Sequence, residues 1–320
     1  MQASVAVEEA LVAGNRTPLP VAGGADFATA ALAAALAALS VAAWFVLVSF
    51  DAAAARARRA TSLRRVLDLG PSPRGPRLLL AFFAGLLAFA ESLRLPFLRG
   101  AAILPPRRHV MPCLAYPLLA HGVAEPGLLA SVLILLRASV VSGAGARSPP
   151  ASGVLAVPFA CLPFLTAQVL VLATPATVAA YPGQLAHAAD ASGHCAYPAY
   201  AAALLLALVA LYMPLLATAC WDVAAVAINK RLRARAYALV TFVVVPLPVQ
   251  VLALGLTSVW DVHQYASPTV GLVGFLAVVV AVEATLVILV MLPVHDALVL
   301  VEELPVVVTA AGEDARDAAR

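Results

Sequence analysis

Charge is what this chain has least of. Only 12% of its 320 residues are charged, against about 25% in soluble proteins. Lysine is almost missing, with Lys230 the single example. A surface so poor in charge argues against a sizeable water-soluble domain. The net charge of +3 is scattered and forms no patch for nucleic acid. Catalytic and metal-binding signatures are missing as well. The histidines (His109, His121, His187, His194, His263 and His295) show no metal-ligand spacing. No glycine-rich loop cradles a phosphate, and H-E-x-x-H, G-x-S-x-G and C-x-x-C do not occur. The expectation is a protein that is not an enzyme, with no catalytic residue, no metal and no cofactor. The first residues lack a basic segment and carry Glu8 and Glu9, which does not read as a cleaved signal peptide.

What the chain has instead is long apolar runs. Hydrophobic residues make up 63% and the mean hydropathy is +0.97. Several nearly uncharged runs are long enough to cross a hydrocarbon core of about 30 Å at about 1.5 Å per residue. The expected fold is all-α, a polytopic membrane helix bundle of about seven transmembrane helices. The spans are placed at 27–50, 78–98, 113–137, 153–174, 197–220, 236–259 and 270–293, with six spans as the alternative. A tail, 1–26, precedes this 27–295 domain and a second tail, 296–320, follows it. The third span has two registers. One runs from Cys113 to Arg137 and takes Pro117 and Pro126 as kinks; the other starts at Glu125-Pro126, with proline in the first turn, and runs to about Gly145. The first keeps Arg137 out of lipid and is preferred.

Orientation follows from the arginines. Arg56, Arg58, Arg59, Arg64 and Arg65 trail the first span, and Lys230, Arg231, Arg233 and Arg235 separate spans five and six. Basic loops stay in the cytosol, so the N-terminus is expected outside and the C-terminus cytosolic. The Arg99–Arg108 loop, with Arg107 beside Arg108, is a local exception. The basic loops form a cytosolic face suited to anionic lipid, with docking of a cytosolic protein partner as the other reading.

Ionisable residues inside spans are expensive, and so are candidate ligand-pocket residues. Glu91 and Arg94 share a face of span two, and His121 and Glu125 lie four apart in span three. Glu283 sits mid-span in span seven with no sequence neighbour to pair with. Either these side chains line an outward polar cavity for a small extracellular ligand, or they form a polar network that fixes packing. Cys113 and Cys195 both fall on the outer side and are candidates for a disulfide. Asn15-Arg16-Thr17 is a candidate glycosylation site on the outer tail. An echo between Phe50-Asp51-Ala52-Ala53 and Trp221-Asp222-Val223-Ala224 relates spans one to three to spans five to seven, as in carriers built from three-helix repeats.

Seven spans, an outer N-terminus, Cys113 atop span three, Cys195 in the second outer loop, and Pro246 and Pro248 in span six resemble the plan of G-protein-coupled receptors. Arg137 ends span three as a receptor arginine often does. Two features depart from that plan. Leu135-Leu136-Arg137-Ala138-Ser139 has no acid before the arginine. Leu292-Pro293-Val294-His295-Asp296 lacks the asparagine-proline-tyrosine pattern. The resemblance implies a divergent receptor-like or sensor-like protein of the plasma membrane or secretory pathway. Its partners would be the lipid bilayer and a small ligand, without nucleic acid. A small-solute carrier and a membrane scaffold or assembly factor are the alternatives.

Overall fold

The computed structural model describes residues 23–60, 74–95, 110–143, 150–173, 199–226, 230–259 and 266–297. These residues are helical almost throughout, and no strand occurs among them. Helix α1 is Gly24–Ala60, α2 is Arg74–Arg94, α4 is Pro150–Ala173 and α5 is Ala199–Val226. Helix α3 covers 110–143, α6 covers 230–259 and α7 covers 266–297. Each of these three contains one wide π turn: Ala120–Ala124 in α3, Val240–Val244 in α6 and Val287–Met291 in α7.

The three π turns share a cause. Each ends two residues before a proline: Pro126, Pro246 or Pro293. Proline has no N–H for the carbonyl four residues back, and its ring crowds that carbonyl. Those carbonyls belong to Gly122, Phe242 and Leu289, all inside the π turns. The wider turn moves the clashing group aside while the helix continues. Both registers proposed for span three start from features of this one helix. The helix is continuous through Cys113 and Arg137, as in the preferred register, and Pro126 sits at the start of its second α segment, as in the other.

Six helices are long and apolar enough to cross a membrane: Gly24–Ala52, Gly75–Arg94, Ala115–Ser139, Ala199–Val226, Lys230–Ser258 and Pro268–Ala297. The chain is therefore a multi-pass, all-helical membrane protein. The expected fourth span falls on α4, whose apolar stretch Leu155–Val171 is shorter. Boundaries differ from expectation mainly at the charged ends. Helix α1 continues past residue 50 through Arg56, Arg58 and Arg59 to Ala60, and α2 begins at Arg74, not 78. Arginine is a good helix former, so a helix need not stop where lipid does. At about 1.5 Å per residue the α1 helix is about 55 Å long, well beyond a hydrocarbon core.

Burial identifies the central helix. The α3 span is 78% buried, against 28% for α1. Helix α3 packs on α2, α4 and α5, α5 on α6, α6 on α7, and α7 returns to α1. The outside is apolar: Phe45, Phe159, Leu170, Trp221 and Leu252 are all exposed, as a lipid-facing surface requires. Small residues let the helices close up. The α1–α2 contact is the clearest case, where Ser40 Oγ donates to the Ala81 carbonyl at 2.6 Å. A Cβ on Gly85 would lie 2.9 Å from that Oγ. Gly85→Ala should therefore lower the melting temperature. Ser40→Ala should largely rescue it, because the nearest remaining Ser40 atom, Cβ, is 3.7 Å away. Thermal unfolding of the two single variants and the double variant checks this.

Candidate functional site

The central helix carries the polar residues, and this dictates the site. A polar side chain on α3 cannot turn to water or reach a headgroup, so neighbouring helices must meet its hydrogen-bonding needs. Tyr116, His121 and Glu125 lie on α3 at and around the π turn, all buried. Glu125 is the hub. Its Oε2 lies 2.8 Å from His121 Nδ1. Its Oε1 accepts a hydrogen bond from Gln250 Nε2 on α6. The Gln250 amide presents its nitrogen to Glu125.

A second branch runs to α2. Tyr116 donates its hydroxyl hydrogen to Glu91 Oε1 at 2.7 Å. The Arg94 guanidinium lies over the Tyr116 ring, 5.8 Å from its centre. The Tyr116 ring also meets His121 edge-to-face at 5.6 Å, joining the two branches. Glu91 lies within electrostatic range of Arg94, His121 and Glu125. At the start of α7, Gly271 leaves room for Arg94, since a Cβ there would lie 2.9 Å from its Nη2. The track thus spans α2, α3 and α6 at the end of the bundle where α2 finishes and α3 begins.

Unmet hydrogen-bonding capacity surrounds the track. Among the described residues, Glu91 Oε2 and Gln250 Oε1 have no hydrogen-bond partner, nor does either amide atom of Gln168. Glu91 is 4% exposed, Gln250 2% and Gln168 0%. Gln168 belongs to α4 and packs where Gly122 leaves space in the π turn. The same turn receives a second α4 contact, from Cys161 Sγ to the Val123 carbonyl at 3.6 Å.

Below Glu125 lies a cavity of about 30 Å³, bounded by α3, α5, α6 and α7. Leu128, Val132, Leu205, Leu247 and Val282 are among its walls, and Glu125 and Thr285 are its polar residues. Thr285 donates to the Ala281 carbonyl, which leaves its oxygen able to accept.

Four of the five pocket residues expected from the sequence meet here: Glu91, Arg94, His121 and Glu125. Glu283 does not join them. It is half-buried on α7, with no hydrogen bond or ion pair among the described residues. Its neighbours Val282 and Thr285 face the cavity instead. One residue of rotation, about 100° on a helix, accounts for the difference. Three participants were not anticipated: Tyr116, Gln168 and Gln250. Their signal was available, because neutral amides and hydroxyls also act as glue between membrane helices.

The remaining candidates lie away from the track. Cys113 is disulfide-bonded, Cys161 and Cys220 are free thiols, and the expected partner Cys195 lies outside the described residues. So do Asn15, Arg64 and Arg65. Lys230, Arg231 and Arg233 are exposed on the first turns of α6, at the opposite end from the polar track. Arg235 pairs there with Asp296 at 2.7 Å, joining α6 to the end of α7. Among the described residues no group of three or more His, Cys, Asp or Glu is arranged to hold a metal ion.

A family model described as Uncharacterised conserved protein UCP031277 matches residues 21–305. The chain belongs to that family. The match takes in all of the helices and the whole polar track. No curated protein and no solved structure matches the chain.

Proposed function

We propose that the protein is a receptor-like or sensor-like seven-pass membrane protein whose polar track receives the stimulus. In this reading α4 also crosses the membrane and brings the spans to seven, the N-terminus is outside, and the track lies in the outer half of the membrane. The observation that carries it is the hydrogen bond between Glu125 and Gln250. It joins the central helix to α6 beside a π turn in each, so a change at Glu125 acts on a helix already interrupted at Val240–Val244. From there α6 leads to the basic residues Lys230–Arg235 and the Arg235–Asp296 pair, which this orientation puts in the cytosol.

A small-solute carrier fits less well. Water needs at least about 10–15 Å³ of such space, and an engineered cavity of about 150 Å³ binds benzene. A cavity of about 30 Å³ therefore suits a water or a monovalent ion, not an organic solute. A three-helix repeat would also superpose α3 on α7, yet their π turns lie near opposite ends of those helices.

Spin labels on Leu232→Cys and His295→Cys, both exposed at the α6–α7 end away from the track, provide the test. Gln250→Leu is expected to move or broaden the label-to-label distance. An unchanged distance together with a lower melting temperature would make the track a packing device and sink the sensor reading.

A further inference from the structure

We propose that the first turns of α6 hold the headgroup of one anionic phospholipid, with Lys230 and Arg233 on its phosphate and Tyr237 at the level where its acyl chains begin. The assignment stands apart from the sensor reading, since it needs only that α6 enters the membrane at this end.

The first observation is depth. The span Lys230–Ser258 has 29 residues. At about 1.5 Å per residue it is about 44 Å long, about 14 Å more than a hydrocarbon core of about 30 Å. The surplus belongs at the Lys230 end, because the stretch Val251-Leu252-Ala253-Leu254-Gly255-Leu256 near the other end is apolar. About nine residues therefore stand among the headgroups. Tyr237 then falls at the hydrocarbon boundary, the level that suits a ring with a polar tip. Arg233 and Lys230 lie about one and two turns further out.

The second is the face. Lys230, Arg233, Tyr237, Thr241 and Val245 follow one another at three- and four-residue steps, which aligns them along α6. All five are exposed, while Ala236, Leu239, Val243 and Leu247 turn a different, buried face to the bundle. Thr241 donates its hydroxyl hydrogen to the Tyr237 carbonyl at 3.1 Å, so it adds no polar demand on the lipid side. The line runs from cations through an aromatic ring to apolar side chains, the order of phosphate, glycerol and acyl chain in a phospholipid. This makes the occupant a lipid. An acidic segment of a soluble protein could pair with the two cations but could not follow the face below Tyr237 into hydrocarbon.

The third is charge. No acid occurs in α6, whose first turns carry Lys230, Arg231, Arg233 and Arg235. Asp296 of α7 is bonded to Arg235 at 2.7 Å and lies within electrostatic range of Arg231. Asp51 and Asp222 lie at this end on α1 and α5. The α7 acid thus engages the Arg231–Arg235 side, and a headgroup of net negative charge complements Lys230 and Arg233. A zwitterionic headgroup brings its own ammonium and gains less.

The experiment uses the full chain in a neutral detergent, titrated with phosphatidylglycerol or with phosphatidylcholine of identical acyl chains. Native mass spectrometry counts the bound lipids. One phosphatidylglycerol should be retained saturably at concentrations where phosphatidylcholine is not. Lys230→Gln with Arg233→Gln should weaken that binding about thirtyfold, the combined effect of two cations near an anionic surface. Tyr237→Leu should weaken it less. Arg137→Gln removes an exposed cation at the same end of the bundle, on α3, and should leave it intact. All four side chains are exposed, so the variants should melt near the parent. Equal retention of both lipids, a double variant that binds as the parent does, or an equal loss in Arg137→Gln would overturn the assignment; the last would leave only diffuse attraction. An oligoglutamate peptide that binds where phosphatidylglycerol does not would give the face to an acidic protein segment instead. The spin-label test of the track is untouched by any of these results.

Discussion

Gly127→Ala is expected to destabilise the bundle by about 1–3 kcal/mol, the usual cost of overpacking a filled interior. Gly127 lies on α3 just after Pro126, where α2 crosses closely. A Cβ there would sit 2.6 Å from three atoms of the Phe83 ring, far inside contact distance. The ring cannot simply swing away, because Phe83 is buried and packed edge-to-face against Phe82 at 5.4 Å. Gly127 also provides the carbonyl that accepts the Ser131 hydroxyl at 2.6 Å, so a backbone shift would disturb a second buried group. Trimming the obstacle should rescue the variant. Phe83→Leu with Gly127→Ala should melt above Gly127→Ala alone, although Phe83→Leu by itself costs packing. Unfolding of the three variants in mild detergent measures the coupling. A Gly127→Ala protein as stable as the parent would mean that α2 and α3 are farther apart than described.

This close crossing also shows how far sequence reasoning reaches. Apolar runs of twenty residues name themselves, because a bilayer demands that length and that composition. The charged flanks were harder, since hydropathy locates the lipid boundary and helix propensity decides where the helix ends; α1 separates the two by about ten residues. The doubt over span three had a physical source: Pro126 does begin an α segment, and only the π turn lets another precede it without a break. The polar track was half legible. Glu91, His121 and Glu125 announced themselves by their cost in lipid, whereas Gln250 and Gln168 carry no charge. Their importance comes from facing α3, which no pattern within α4 or α6 encodes. Glu283 illustrates the converse. A lone acid in a span need not point at the other acids, because helix rotation is set by packing on the α1 and α6 sides.

Removing the Glu125 carboxylate and the Gln250 amide together is expected to cost less than the sum of removing each alone. In Glu125→Leu, His121 Nδ1 and the Gln250 Nε2–H both lose their partner while still buried. In Gln250→Leu, the carboxylate loses a donor at Oε1. A buried group stripped of its partner costs about 1–3 kcal/mol, and more when charged. The Glu125→Leu variant should therefore be the less stable of the two singles, because it strands two buried polar groups where the other strands one oxygen. The double variant replaces the Gln250 orphan with an apolar side chain and leaves His121 alone to be rehydrated or repacked. The expected coupling between Glu125 and Gln250 is about 0.6–1.7 kcal/mol, the range measured for hydrogen bonds between membrane helices. Coupling near zero would mean that water, not Gln250, serves the carboxylate, and α6 would then have no direct hold on the central helix. Coupling in the expected range fixes Glu125 as the point where α3 and α6 answer to one another. The free energy that any occupant of the cavity can transmit to α6 through this bond is bounded by the same figure.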